Sequence, residues 1–382
     1  MENIYTIAKV KTLAASHWPI VVFLVLGIML LVGVRFNAES YNYGAYAGDE
    51  YHTVHQGLNL IVNGKVENFR AQESVRWLVR AFYLYALVYM NTHMGGNVYL
   101  NGWSYPGHNY VVEHFVNSEY ASEDFSKDNK LRTIFHALKQ LYIIFVSVCV
   151  LMLLFFFLRE HYYIVSLGTI VLLGFSLDLL AEQKLFYIEP GMLASLALMI
   201  FAYSVCIYRE HLFKHAAVLF GFLAAFMIAT KFSVILFSVL PVILFFYLLK
   251  YKDALKHCAA YVASLIGFYV VINFPAFISL ESLNVFLHDL SSNFWQYAAG
   301  GDSSVTVASG ITHFGLLVQQ LEGFLGYALY ALPVIILFAL YYAYAKERML
   351  LAPLLVLVLL SVYSLAGQHV YLARNLVPFY LP

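Results

Sequence analysis

The feature that most limits this chain is a succession of apolar runs that exclude charge. They lie at about 18–34, 138–158, 163–181, 191–208, 216–230, 232–249, 258–274, 324–345 and 349–366. A helix needs about 20 apolar residues to cross a bilayer core, and most of these runs come close to it. Nine such runs in one chain predict an all-α, polytopic integral membrane protein with about nine transmembrane helices. Composition agrees: only 12% of residues are charged, against about 25% in soluble domains. Formal net charge is zero, so no bulk field draws the chain to nucleic acid. Cys149, Cys206 and Cys258 fall inside or at the ends of apolar runs, which argues against a disulfide framework. Lys9 and Lys11 precede the first run as in a signal peptide. No small-x-small cleavage site follows, so the expectation is a retained signal anchor.

Basic residues set the expected orientation. With residues 1–17 cytoplasmic, the inner connections hold Lys9, Lys11, Arg159, Arg209, Lys214, Lys250, Lys252, Lys256, Lys346 and Arg348. The short outer connections hold Lys184, Lys231 and Arg374. This predicts a first span at 18–34, a large extracytoplasmic loop at 35–137 and six spans within 138–274. A second outer loop follows at 275–323, then two spans within 324–366 and an extracytoplasmic end at 367–382. The expected location is the plasma (inner) membrane. Segment 74–91 has Arg76 and Arg80 ahead of a short apolar stretch, which suits an interfacial helix anchored to lipid headgroups. The second loop opens with a helical pattern, SLESLNVFLHDLSSNFWQYA, and turns Gly/Ser-rich in AAGGDSSVTVASG, a lid-like composition.

Ionisable groups collect at the outer ends of the spans: Asp49, Glu50, Asp178, Glu182, Lys184, Glu189, Lys231 and Arg374. A transporter would want charges near the midplane and broken helices in paired halves; the pattern shows neither. Charges at the boundary suit chemistry on a substrate with its tail in the bilayer and its head in water. Such a site needs a base for an attacking hydroxyl, which Asp49 and Glu50 could supply. It also needs positive charge for a departing phosphate, which Lys231 and Arg374 could supply.

Each residue also has a plainer role. Asp49 and Glu50 could cap a helix starting near Tyr51. Lys231 could snorkel to the interface, whereas the Arg374 fork suits phosphate. Glu189 reads as a loop acid or a second acid of the site, and His108 as a structural loop histidine. Trp295 and Tyr297 could stack on a sugar or belong to an interfacial aromatic belt. His52 and His55 follow Asp49 by three and six residues. That leaves a divalent metal open, although His55 would point away from the other two on a helix. No metal ligand is assigned.

The acidic pair in GDEYHTVHQGLNLIVNGKVENF resembles the first-loop motif of GT-C glycosyltransferases. The nearest group is that of protein O-mannosyltransferases and lipid A aminoarabinose transferases, a family 39-like set. FYIEPGM, GFLAAFMIATKFSVI, NFPAFISLESLNVFLHDLSSNFWQYAAGG and ARNLVPFYLP are similar to later motifs of that family, in the same order. The resemblance implies a polyprenyl-phosphate sugar donor and inverting transfer on the outer face. The acceptor would be a lipid, a glycan or a protein, with membrane lipids around the chain. It also implies Asp49 as base, with Lys231 and Arg374 near the donor phosphate. The chain departs from the family at Pro190–Gly191, where Pro-Asp is usual, and at Gly300–Gly301, where Gly-His is usual. Asn375 stands where an aromatic residue is usual, and the sequence stops at Pro382 where relatives begin a further span, as in a shortened variant. Two rival readings are a flippase for a lipid-linked sugar and a non-catalytic assembly subunit of the same ancestry.

Overall fold

The computed structural model describes residues 18–33, 47–65, 73–93, 106–117, 128–160, 188–209, 215–230 and 232–298. It adds 162–163, 166–168, 170 and scattered positions between 315 and 359. Among the described residues the fold is helical and contains no strand. The helices are α1 (Trp18–Gly33), α2 (Ala47–Asn63), α3 (Glu73–His93), α4 (Pro106–Val111), α5 (Asn129–Arg159) and α6 (Ile188–Tyr208). They continue with α7 (Ala216–Thr230), α8 (Leu240–Leu248), α9 (Tyr251–Ile272) and α10 (Leu280–Ala298). A π-helical turn, Val112–Val116, extends α4, and 3-10 segments Phe232–Val239 and Phe274–Phe277 precede α8 and α10.

Two stretches, Leu131–Arg159 and Tyr251–Ile272, are long and apolar enough to cross a membrane. Trp18–Gly33, Ala194–Tyr208, Ala216–Thr230 and Phe237–Leu248 are shorter apolar helices. The sequence runs at 163–181, 324–345 and 349–366 fall mostly outside the described residues. Helices outrun apolar runs where polar residues keep the chain helical. The run expected from 258 belongs to a helix that begins at Tyr251 and includes Lys252, Asp253 and Lys256. The run expected from 138 begins at Asn129. Asp128 accepts from the Leu131 amide at 3.2 Å there, a side-chain cap on an otherwise unpaired donor.

α5 and α6 run the same way. Tyr142 of α5 meets Gly191 at the start of α6, and Phe156 meets Phe201 and Tyr208 farther along. The chain turns back after α5, where the Ser166 hydroxyl donates to the Leu154 carbonyl at 2.8 Å. At this turn Arg209 pairs with Glu160 at 2.7 Å, and the hydroxyls of Tyr162 and Tyr208 are 3.0 Å apart. α7 returns toward the Gly191 end and crosses α9 very closely. A Cβ at Gly221 would lie 2.5 Å from Ser264 Cβ and 2.9 Å from the Leu265 amide nitrogen, so glycine sets that crossing.

At the Gly191 end, α3 and the extension of α4 pack on the first half of α5, and α2 packs on α3. Phe115 packs edge-on against Phe135, Tyr89 tilts against His136, and Phe82 meets Phe145. Along the bundle, large apolar side chains are exposed: Val21, Leu24, Val25 and Ile28 of α1, and Val262, Ile266 and Val270 of α9. Only 11% of the most apolar stretch of Tyr251–Ile272 is buried. A core helix of a water-soluble protein would be mostly covered, so this surface suits an apolar medium.

Candidate functional site

α2 carries two buried stripes. Val54, Gly57 and Leu58 form the seam with α3: a Cβ on Gly57 would lie 3.2 Å from Val79 Cγ1, and Arg80 Nε donates to the Gly57 carbonyl at 3.2 Å. Thr53, Gln56 and Asn59 form the second stripe, polar and at most 5% exposed. Asp49 precedes Thr53 by four residues and Gln56 by seven, which is the same helical register. Glu50 shares register with Val54 and Gly57. The helix begins at Ala47 rather than near Tyr51, so the acidic pair lies inside its first turn rather than at its N-cap position. Acids in a first turn complement the helix dipole.

Beneath this helix, Glu73 at the start of α3 binds two arginines. Its Oε2 accepts from Arg76 Nη1 at 3.2 Å, and its Oε1 accepts from Arg80 Nη2 at 2.5 Å. The side chains of Glu73 and Arg76 are each 3% exposed and that of Arg80 is 14% exposed. Burial lowers the Arg76 pKa, Glu73 and Asp289 of α10 oppose the shift, and Arg80 adds to it. A guanidinium stays protonated regardless. The expectation that Arg76 and Arg80 anchor α3 to lipid headgroups is therefore corrected: they lie inside the protein on a shared carboxylate.

The ion layer adjoins a tight corner. A Cβ on Gly191 would meet Tyr142 Oη at 2.8 Å, Thr230 Cγ2 at 3.0 Å and Val75 Cγ2 at 3.4 Å. Any side chain at Gly191 would press on these atoms, which accounts for glycine at this position. The hydroxyls of Ser74 and Thr230 both donate to the Phe226 carbonyl, at 2.7 and 2.8 Å. Glu189 lies in the first turn of α6, two residues before Gly191, and Lys231 directly follows Thr230. The corner thus brings those two segments together. Asp49 is eight residues ahead of Gly57, about 12 Å along the α2 axis. The side chains of Asp49, Glu50, Glu189, Trp295 and Tyr297 lie outside the described residues, as do Lys231 and Arg374 entirely. Trp295 and Tyr297 belong to the last turn of α10.

His55 and His108 pack within the helical layer, and the side chain of His52 lies outside the described residues. His55 Nε2 is 3.1 Å from the Val116 carbonyl, and its ring packs on Phe115. His108 is helical rather than in a loop. Its Nδ1 is 3.0 Å from Tyr83 Oη, a phenol whose pKa burial pushes upward. Among the described residues no group of three or more His, Cys, Asp or Glu side chains is placed to hold a metal.

Two buried charged residues escape sequence reasoning. Glu73 was legible in principle, since Glu73, Arg76 and Arg80 are spaced three and four apart on one helix face. Lys139 is completely buried on α5, one turn before Tyr142. At the edge of an apolar run it reads like any interfacial lysine. In comparisons with family models, curated proteins and solved structures, nothing matches the chain.

Proposed function

We propose that the chain is a membrane glycosyltransferase. It moves a sugar from a polyprenyl-phosphate donor to an acceptor hydroxyl at the extracytoplasmic face, with inversion. The observation that carries this reading is the register of α2. On the α2 backbone Asp49 shares helical register with Thr53 and Gln56, two polar residues that are buried in the protein. In the proposed reaction Asp49 takes the acceptor proton. The acceptor oxygen attacks C1 of the sugar as the C1–O bond to phosphate breaks. Polyprenyl phosphate leaves with the bonding pair, and Lys231 and Arg374 balance the charge it carries. Trp295 and Tyr297 would stack on the sugar, and Glu50 and Glu189 would support the acid side of the site. Nine spans, a cytoplasmic N-terminus and a plasma-membrane location complete the proposal.

A flippase would need charged groups along a path through the bundle. Among the described residues, buried Glu73, Arg76 and Lys139 gather instead on α3 and the first turns of α5. A non-catalytic assembly subunit draws support from the pairing of both arginines with Glu73, which gives them a structural use. The test is transfer by purified protein, with the anomeric configuration of the product read by NMR. The expected product is inverted, and Asp49→Ala slows transfer by about 100- to 10,000-fold, the range for a lost general base. A product of retained configuration, or an unchanged rate in Asp49→Ala, would sink the mechanism.

A further inference from the structure

We infer that the segment from Phe274 to Leu287 lies in the lipid surface, with α10 flat along the boundary between acyl chains and headgroups. The inference rests on reading the chain as a membrane protein and goes beyond it, because it assigns a non-spanning helix to the bilayer. On α9, Val262, Ile266 and Val270 recur every four residues and are 48%, 57% and 40% exposed. This strip does not stop where α9 ends. Phe274, Phe277, Ile278 and Leu280 continue it at 60%, 40%, 51% and 75% exposure.

The exposed arc of α10 is divided. At about 100° per residue, Leu280 and Leu287 stand within about 20° of each other on one edge. Glu281, His288 and Ser292 share the opposite edge, all exposed. Asn284 and Ser291, also exposed, fall between them. The protein-facing side has buried Phe286, packed with Ala276 and near Leu60 and Tyr269. Three media therefore meet around one helix: protein at Phe286, water at Glu281 and His288, and an apolar medium at Leu280 and Leu287. A helix with this division seats at a membrane interface, and continuity with the exposed strip of α9 names the lipid as the occupant.

The experiment is site-directed spin labelling in liposomes of phosphatidylcholine and phosphatidylglycerol. Nitroxides are attached at Leu280→Cys, Leu287→Cys, His288→Cys and Ile266→Cys in a Cys258→Ser background, since Cys149 and Cys206 are buried. Accessibility to oxygen, which concentrates in lipid, is compared with accessibility to a water-soluble nickel chelate. The expected result is oxygen preference at Leu280 and Leu287, deeper oxygen preference at Ile266, and a reversal to nickel at His288. Nickel preference at Leu280 and Leu287 with oxygen preference at Ile266 overturns the inference and leaves the membrane reading standing. Nickel preference at Ile266 as well overturns both. Protection of Leu280 and Leu287 from both reagents means that protein covers them, which also overturns the inference.

Discussion

Glu73 accepts from two arginines at once, and Arg80 also donates to the Gly57 carbonyl. With Glu73 and Arg76 each 3% exposed, removing the carboxylate takes a buried counter-charge from both arginines. Breaking a buried pair costs about 3–5 kcal/mol, so Glu73→Ala should lower the unfolding midpoint sharply in a denaturation series. Glu160→Ala is the contrast. Its partner Arg209 is 37% exposed, and pairs open to solvent contribute about 0–1 kcal/mol. Equal losses for the two variants would contradict the buried ion layer. At Gly191 the reasoning is steric. A methyl group would press on Tyr142 and Thr230 at 2.8 and 3.0 Å, and overpacking costs about 1–3 kcal/mol. Gly191→Ala should therefore destabilise the protein, and a midpoint at or above that of the wild type would refute the tight corner.

At the scale of elements, the contact between α7 and α9 depends on Gly221. Gly221→Val should force the helices apart at Ser264 and Leu265, with a loss of about 1–3 kcal/mol. Gly267→Ala on α9 should be neutral or stabilising by up to about 1 kcal/mol, because nothing lies within 4 Å of its Cβ position and alanine is the better helix former. Thermal melts in detergent separate the two.

The apolar helices α1, α5, α6, α7, α8 and α9 were legible from hydropathy, because exclusion of charge from a run of about 20 residues has few other solutions. The break after Thr230 was legible too, since α7 ends there. Less legible were the polar starts of α5 and α9, where Lys252, Asp253 and Lys256 keep the helix going beyond the apolar run. The use of Arg76 and Arg80 was not legible, because the sequence pattern of an arginine on a headgroup equals that of an arginine on Glu73. Nor did the sequence reveal that Asp49 shares register with buried Thr53 and Gln56, which depends on the helix beginning at Ala47.

At the scale of the molecule, the described residues combine an apolar helical bundle with a helical layer at one end that contains buried charge. Two of its helices are long and apolar enough to span a membrane. The layer holds Glu73, Arg76 and Arg80 largely out of water, and the start of α6 meets the end of α7 beside it, Gly191 against Thr230. The proposed glycosyltransferase reading asks this end of the bundle to receive a donor with a polyprenyl tail and a phosphate head. The measurement that tests this most directly is release of polyprenyl phosphate from a panel of radiolabelled polyprenyl-phosphate sugars by purified protein, wild type beside Asp49→Asn. The account predicts release from at least one donor by the wild type and its loss in Asp49→Asn, with both proteins folded. Turnover of no donor by folded wild type, or equal release by Asp49→Asn, would contradict it.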